Sequence, residues 1–225
     1  LISKKRGDEG ARARIHSDKL RKGQVHKDWN KVLKACNELT EAPLWIDDSS
    51  DLSLMDLRAK SRRLMASSGG LGLIIVDYIQ LMQGRGRADN RQQELATISR
   101  QMKGLAKELH VPIIALSQLS RAVESRDDKR PQLSDLRESG SIEQDADVVL
   151  FVYRDEYYLK NKEPKPGTEE HLRWESDMNG VRGRAEVIIA KQRHGPTGTA
   201  QLACQAEFTR FTDLAEDQYL PERFE

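Results

Sequence analysis

The sequence predicts an α/β fold with a mostly parallel sheet flanked by helices and a C-terminal antiparallel hairpin. Three apolar segments, at 71–76, 111–120 and 146–156, are separated by helical or polar stretches. Short segments that are apolar almost throughout are typical of parallel strands covered on both faces. The final segment, 185–211, alternates around His-Gly-Pro-Thr-Gly and predicts the hairpin with a Gly-Pro turn.

The composition fits a well-solvated protein with a core of its own. The chain has 225 residues and a net charge of +1, with 32% charged and 5% aromatic residues. This length suits one large α/β domain or two small ones. The charge balance gives no overall attraction to nucleic acid, so any such binding must be local.

The cysteines and the hydropathy pattern predict a cytoplasmic protein. Cys36 and Cys204 lie far apart and belong to no metal-binding motif, so we expect reduced thiols. The histidines show no metal-ligand spacing. No apolar run approaches the ~20 residues of a membrane helix, and the start has no signal-peptide pattern.

The first half of the chain predicts helices around one short strand. Residues 1–40 are basic and helical, and 42–50 predict a strand that runs into a helix start at Asp47-Asp48-Ser49-Ser50. The next helix, 52–66, ends at the Gly69-Gly70 pair. Its apolar face consists of Leu54, Leu57, Leu64 and Met65.

The second half predicts an amphipathic helix between two loops, followed by a surface insertion. Residues 84–93 are polar and contain glycine, as in a loop, and 93–110 follow as a helix. The polar segment 119–145 is long for a connection, so it is either functional or mobile. Residues 161–184 predict a surface insertion without an assigned role. The apolar face of the helix 93–110 consists of Leu95, Ile98, Met102, Leu105 and Leu109.

Polar side chains end three of the predicted strands. Asp77 follows the first apolar run, and Gln118 and Arg154 follow the other two. Ligands bind at the carboxyl ends of strands in open α/β sheets, so we expect these residues to converge on one rim. Asp77 fits a water-mediated Mg²⁺ contact, and Gln118 fits a contact to a γ-phosphate. Taken singly, each also fits an ordinary hydrated residue at a strand end.

Two further groups of residues carry weaker signals. Lys191 and Arg193 share one strand face and, with Ile188 and Ala190 opposite, project towards solvent or a neighbouring subunit. A cation supplied by a neighbour can neutralise charge during phosphoryl transfer, whereas an exposed cationic face is the simpler interpretation. The stretch 136–141, Leu-Arg-Glu-Ser-Gly-Ser, fits contact with a phosphodiester backbone, and no aromatic platform accompanies it.

Five longer motifs resemble one family. They are DYIQLM, LAKELHVPIIALSQLSR, DKRPQLSDLRESGSIEQDAD, VYRDEYY and AKQRHGPTGTAQL. Together they resemble the C-terminal motor domain of DnaB-type replicative DNA helicases, over residues 1–211, with 212–225 as a tail. The resemblance implies a RecA-like fold in a homohexameric ring that hydrolyses ATP with Mg²⁺ and moves 5′ to 3′ along single-stranded DNA.

The resemblance also implies roles for individual residues. Asp77 matches the Walker B acid that holds Mg²⁺ through water, and Gln118 matches the γ-phosphate sensor. Lys191 and Arg193 match cations that reach the nucleotide of the neighbouring subunit. The residues that match the DNA-gripping loop are Arg137, Glu138 and Gly140. A primase and a helicase loader are the partners expected of the intact protein.

One element of the family is missing from the sequence. None of the fifteen glycines is followed by lysine, so the Walker A phosphate loop does not occur in it. We expect this loop and its strand to lie upstream of Leu1, with the family's primase-docking domain. We therefore predict that the chain alone neither binds ATP tightly nor hydrolyses it. The missing strand should leave an apolar edge beside the strand of Gln118, which favours aggregation.

Two alternatives remain at this point. Another RecA-like ring ATPase would have the same fold, but the LRESGSIEQDAD motif argues against it. A non-catalytic module that docks on a ring or on single-stranded DNA is favoured only by the missing phosphate loop.

Overall fold

The computed structural model describes residues 12–24, 26–49, 52–82 and 91–214. The chain divides into two compact units. Unit 1 contains the chain up to Asp48, Val152–Val187 and the chain from Thr199 onward. Unit 2 contains Ser49–Phe151 and Ile188–Gly198.

The described residues form helices and strands in mixed order. The helices are α1 (Ser17–Arg21), α2 (Trp29–Glu41), α3 (Leu54–Ser68), α4 (Arg91–Leu109), α5 (Gly140–Asp145), α6 (Asp155–Lys160) and α7 (Glu169–Val181). The strands are β1 (Ile74–Val76), β2 (Ile113–Ala115), β3 (Val148–Tyr153), β4 (Arg184–Gln192), β5 (Gly198–Gln205) and β6 (Arg210–Asp213). Short 3₁₀ helices cover His26–Asp28, Ile79–Leu81, Arg121–Ser125, Leu133–Ser139 and Ala206–Phe208.

The strands form two sheets. β1 and β2 pair in parallel, with Ile74 opposite Ile113 and Val76 opposite Ala115. The other sheet has the order β3-β4-β5-β6, and β5 and β6 are antiparallel. β4 and β5 are neighbours joined by residues 193–197, which confirms the predicted connection around Gly-Pro. β6 continues the sheet to Asp213, beyond the boundary predicted for the tail.

The main core of unit 2 lies between α3, α4 and the β1-β2 pair. All five apolar residues predicted for the face of α4 are buried, and Leu105 is 1% exposed. They pack with Ile74 and Val76 of β1 and with Leu57 of α3. This burial explains why the helical repeat in the sequence predicts α4 correctly. Glu108 of α4 also binds Arg58 and Arg62 of α3.

The termini of α3 follow from local chemistry. The Ser53 hydroxyl accepts a hydrogen bond from the Asp56 amide at 3.2 Å, and the Asp56 carboxylate accepts one from the Ser53 amide at 3.2 Å. This capping box starts the helix at Leu54, so the start predicted at 47–50 is wrong. Gly69 ends the helix with φ of 75°, as predicted from the glycine pair.

The predicted strand at 42–50 is absent from the described residues of that segment, which end at Ser49. Residues 44–49 carry no regular secondary structure. Leu44, Trp45 and Ile46 are about half exposed, at 54%, 50% and 47%. An apolar segment forms a strand only when a neighbouring strand accepts its backbone hydrogen bonds, and none does so here among the described residues.

The polar segment 119–145 is ordered around buried groups. Leu136 packs with Val149 and Phe151 in a second core of unit 2. Asp135 is 4% exposed and binds Arg126 through two hydrogen bonds of 2.8 and 3.1 Å. The Asp135 carboxylate also accepts the Gln132 amide at 2.8 Å. A buried carboxylate paired in this way fixes the loop before residue 137.

Unit 1 has a small core and a helical insertion. Ile15, which precedes α1, and Val32 of α2 form the buried centre of this core. The predicted insertion 161–184 contains α7, which follows α6. The Trp174 indole of α7 donates a hydrogen bond of 2.8 Å to the Leu159 carbonyl of α6. No helix among the described residues is long and apolar enough to cross a membrane.

Apolar side chains remain exposed on both strands of the parallel pair. Ile75 of β1 is 60% exposed and Ile114 of β2 is 49% exposed. Within the described part of the chain, β2 pairs with β1 alone. One edge of β2 therefore has no strand partner among the described residues, and the missing strand and the aggregation expected from it stay predictions.

Candidate functional site

The parallel register brings Asp77 and Gln118 to the same edge of unit 2. The Leu116 amide donates to the Val76 carbonyl at 2.9 Å, and the Ile79 amide donates to the Leu116 carbonyl at 2.9 Å. These bonds extend the pairing beyond the strands, so the two chain segments stay side by side where Asp77 and Gln118 follow. Both residues are exposed and therefore accessible to a ligand.

Gln80 links the ends of β1 and β2. Its side-chain amide donates to the Ser117 hydroxyl at 3.0 Å and to the Gln118 carbonyl at 3.3 Å. Its side-chain oxygen accepts the Gln118 amide at 3.2 Å. Gln80 thus uses both ends of its amide to hold the backbone that carries Gln118. This role was not predicted from the sequence, although Gln80 stands inside the quoted DYIQLM motif.

The chain beyond Gln80 is held by the first residue of α4. The Arg91 guanidinium donates to the Gln80 carbonyl at 2.5 Å and to the Met82 carbonyl at 3.2 Å. It also pairs with Glu94 one turn further along the helix. The start of α4 therefore supports the short 3₁₀ helix that follows Asp77. The peptide bond between Asp77 and Tyr78 is cis.

Lys191 and Arg193 lie together, but not as the strand pattern predicts. Ile188 and Ala190 pack against the second core of unit 2, as expected for the apolar face of β4. Lys191 does not project freely into solvent, because its ammonium donates to the Glu143 carbonyl. The Arg193 guanidinium donates to the Gln144 carbonyl at 2.8 Å. Both cations therefore bind the C-terminal turn of α5.

Asp147 completes this arrangement. Its carboxylate oxygen Oδ1 accepts from Lys103 of α4 at 2.6 Å and lies 3.1 Å from Nε of Arg193. The Arg193 amide also donates to the Asp147 carbonyl at 3.0 Å. The hydrogen bond from Lys103, with the charges of Lys103, Arg193 and His194, lowers the pKa of Asp147. Asp147 is thus an anion shared between two cations.

The predicted DNA-binding residues lie between two anchored points of the backbone. Arg137 and Glu138 belong to the 3₁₀ helix Leu133–Ser139, and Gly140 is the first residue of α5. The side chains of residues 137–141 lie outside the described part of the structure. Asp135 is fixed by Arg126 on one side, and on the other Ile142 packs against the main core.

Arg154 belongs to unit 1, whereas Asp77 and Gln118 belong to unit 2. It pairs with Glu156 at 3.4 Å, and Glu156 also accepts the Gly183 amide at 3.2 Å. Convergence of Arg154 with the other two residues stays a prediction. Cys36 and Cys204 are both reduced and form no disulfide, and burial raises the pKa of the Cys204 thiol.

The residues fit one half of a Mg-nucleotide site. Among the described residues, no cluster of three or more metal-ligating side chains occurs. Asp77 suits a single water-mediated contact to Mg²⁺, since this metal keeps several of its waters and takes further ligands from phosphates. Gln118 suits one phosphate contact. The glycine-rich loop that would surround the remaining phosphate oxygens is not part of this sequence.

Comparison with known proteins matches nearly the whole chain to one family. Residues 10–213 match the DnaB-like helicase C terminal domain. The chain belongs to this family. The five motifs quoted in the sequence analysis all lie inside the matched range.

Curated relatives agree with this assignment. The chain is 47% identical over 203 residues to the replicative DNA helicase DnaB of Rickettsia prowazekii (strain Madrid E), and 50% identical over 206 residues to that of Geobacillus stearothermophilus. These alignments cover 90% and 91% of the chain, but only 42% and 41% of the relatives. The chain thus spans about two fifths of the length of these relatives.

Two solved structures share the fold. One is described as an ATPase domain, with a TM-score of 0.80 and 37% identity, and the match covers 93% of this chain and 69% of that one. The other is a DnaB-like replicative helicase studied for its interactions with primase, with a TM-score of 0.80 and 36% identity, covering 93% and 48%. The predicted RecA-like α/β fold is confirmed. The names of the relatives do not favour the alternative ring ATPase or the non-catalytic module.

Proposed function

We propose that this DnaB-type chain is the C-terminal part of an ATP-driven replicative DNA helicase that moves 5′ to 3′ along single-stranded DNA as a homohexamer. The observation that carries the proposal is the shared edge of β1 and β2. There Asp77 and Gln118 follow strands held in parallel register, with Gln80 fixing the backbone between them. A primase and a loader are the expected partners of the full-length protein, and the cytoplasm its expected location.

Each candidate site residue has a distinct role in this proposal. Mg-ATP, when bound, would supply the phosphoryl group, and Asp77 would accept hydrogen bonds from water on the metal. Gln118 contacts the γ-phosphate, so its position reports whether that phosphate is present. Lys191 and Arg193 come from the neighbouring subunit and neutralise charge on the transferred phosphoryl group. Arg137, Glu138 and Gly140 bind the DNA backbone, and Asp135 and Ile142 on either side support that position.

The first test uses the full-length protein that contains this chain. Asp77→Asn should lower the rate of ATP hydrolysis by a factor of about 10² or more, because the metal loses its anionic partner. Ring assembly, measured by light scattering, should stay unchanged. Hydrolysis near the wild-type rate would exclude Asp77 as the metal-binding acid.

The role in the neighbouring subunit is tested with mixed rings. Arg193→Ala should abolish hydrolysis and inactivate wild-type neighbours, so activity should fall faster than the mutant fraction rises. Arg173→Ala, which removes an exposed arginine of α7, is the matched control. A fall in simple proportion to the mutant fraction would contradict a contribution in trans.

DNA binding is tested by its salt dependence. Arg137→Ala should weaken binding to a single-stranded oligonucleotide and reduce the slope of log K against log salt by about 0.7, the value for one lost phosphate contact.

Unwinding of forked duplexes with opposite tails tests the direction of movement. Equal unwinding of both forks would contradict the 5′ to 3′ assignment.

The isolated chain should behave differently from the full-length protein. We propose that it neither binds Mg-ATP tightly nor hydrolyses it, because the residues present include no phosphate loop. Titration calorimetry of the chain with Mg-ATP measures this directly. A micromolar dissociation constant would contradict the proposal for the isolated chain and leave the function of the full-length protein open to the tests above.

A further inference from the structure

Three cations from two elements converge on one short stretch of unit 2. They bind three consecutive backbone carbonyls at the end of α5 and one nearby carboxylate. The cations are Lys103 of α4 and Lys191 and Arg193 at the end of β4; the acceptors are the carbonyls of Glu143, Gln144 and Asp145 and the carboxylate of Asp147. We call this group the α5 cradle.

The chemistry of the cradle explains why cations collect there. The last carbonyls of a helix have no partner within the helix and carry partial negative charge. Lys103 donates to the Asp145 carbonyl at 2.8 Å, and Arg193 to that of Gln144 at 2.8 Å. Asp147 adds one full negative charge, which it shares between Lys103 and Arg193. Four hydrogen-bonding groups thus hold three cations.

The cradle competes with the task proposed for Lys191 and Arg193. An N–H group of these side chains that donates to α5 is not available to a phosphate on another subunit at the same time. The Arg193 side chain is 45% exposed, so it can leave without breaking a packed core. Neutral carbonyls are weaker acceptors than phosphate oxygens, and charge-assisted bonds are the stronger ones. Asp147 is therefore the group in the cradle that can hold Arg193 against a phosphate.

The position of α5 connects this competition to DNA. α5 begins at Gly140, two residues after Glu138 of the proposed DNA-binding loop. It is six residues long, so its two ends are less than two turns apart. A displacement of the DNA-binding end therefore moves the carbonyls that hold the cations.

We infer that the α5 cradle is a latch, in which Asp147 retains Arg193 and the α5 carbonyls retain Lys191. DNA bound at the other end of α5 releases both cations to the neighbouring nucleotide. Asp147 is a positioning residue in this mechanism, since it acts through Arg193. The inference rests on the proposed function, because it requires both the cations acting in trans and the DNA-binding loop.

The test measures ATP hydrolysis by the full-length protein with and without saturating oligo-dT. Asp147→Asn keeps the shape of the side chain and removes its charge. The rate without DNA should rise about fivefold, the effect of losing one partly exposed ion pair. The rate with saturating DNA should stay within about twofold of wild type. An unchanged or lower rate without DNA would overturn the latch.

Two further variants separate a latch from a general loosening of the structure. Glu108→Gln removes a carboxylate that also binds two cations, Arg58 and Arg62, away from the cradle, and should change neither rate. Lys103→Met removes the second cation from the Asp147 carboxylate, which then binds Arg193 alone. The rate of ATP hydrolysis without DNA should therefore fall below wild type. A rise with both Asp147→Asn and Lys103→Met would indicate loosening of α5 and would overturn the latch.

The tests of the latch and of the proposed function fail separately. Hydrolysis that depends on Arg193, combined with no rise in Asp147→Asn, would overturn the latch and leave the proposed function standing. Hydrolysis that DNA does not stimulate in the wild-type full-length protein would overturn the latch alone, whereas absence of hydrolysis with and without DNA would overturn both.

Discussion

Two of the regions of unit 2 that carry predicted site residues are held in place by different interactions. Asp77 and Gln118 follow apolar strands that pack in the main core through buried Ile74 and Val76 and partly buried Ile113. Arg137 and Glu138 follow a polar loop whose buried centre is the ion pair between Arg126 and Asp135. The first region depends on packing and backbone pairing, and the second on charge.

This difference predicts different responses to the solvent. Packing of apolar side chains is insensitive to moderate salt, whereas partly exposed ion pairs weaken as salt screens them. The strand edge should therefore keep its geometry over a wide range of salt and pH. The loop and the α5 cradle should respond to both, which suits segments that change their contacts during a reaction cycle.

The largest expected effect comes from breaking the packed region. Leu105→Ala should lower the free energy of unfolding by about 3–5 kcal/mol, because Leu105 is almost fully buried beneath the strands and leaves a cavity. Ile114→Ala, at a half-exposed position of β2, should cost less than about 1 kcal/mol. Urea unfolding of the isolated chain measures both. Equal losses would contradict the placement of the core.

The next effect comes from breaking the charged region. Asp135→Asn should lower the free energy of unfolding by about 2 kcal/mol, since the partly buried Arg126 guanidinium loses its anionic partner. Asp128→Asn is the control, because Asp128 is exposed and its ion pair with Arg130 is 4.0 Å long. If both variants unfold at the same urea concentration, the buried pair does not hold the loop.

A smaller effect is expected at the link between the strands. Gln80→Leu should cost about 1 kcal/mol, because the exchange leaves the Gln118 amide without the acceptor it uses. Gln101→Leu, on the exposed face of α4, provides a matched control with the same change of side chain. Hydrogen exchange of the Gln118 amide gives a local measurement. Unchanged protection in Gln80→Leu would show that the link is dispensable.

The smallest effect is a pH dependence at Asp147. Its pKa is lowered in the folded chain, so the ionised form stabilises the fold above the unfolded pKa of about 3.9. That contribution is lost as pH falls through the lower folded pKa. The difference in unfolding free energy between wild type and Asp147→Asn should therefore be constant near neutral pH and shrink below pH ~4. A difference that grows on acidification would contradict the lowered pKa.

Local sequence patterns were sufficient to predict the structure wherever it depends on residues that are close together along the chain. The repeat in α4 predicts each of its buried apolar residues, and the glycines after α3 predict its end. The connection between β4 and β5 follows from His-Gly-Pro-Thr-Gly in the same way. These features are set within a few residues, so periodicity and turn chemistry determine them.

Sequence patterns did not predict the structure wherever it depends on a residue that is distant along the chain. The segment 42–50 has the composition of a strand, but within its described residues no neighbouring strand pairs with it. In the sequence, Gln80 is a single polar residue between Ile79 and Leu81. Its hydrogen bonds to the Gln118 backbone form only because β1 and β2 pair in register. Lys191 lies in β4 and Arg193 in the turn that follows it, and the carbonyls they bind lie 48 and 49 residues away in the chain.

The hydrogen bond between Trp174 and Leu159 gives the insertion a spectroscopic signal of its own. The chain has three tryptophans, and Trp29 and Trp45 are each about half exposed. Trp174 is more sheltered, because its indole binds a backbone carbonyl and stacks on the His171 ring at 5.4 Å. Acrylamide should quench the fluorescence of the first two before that of Trp174. The remaining emission then reports on the packing of α6 and α7, and a Trp29→Phe, Trp45→Phe chain would isolate it completely.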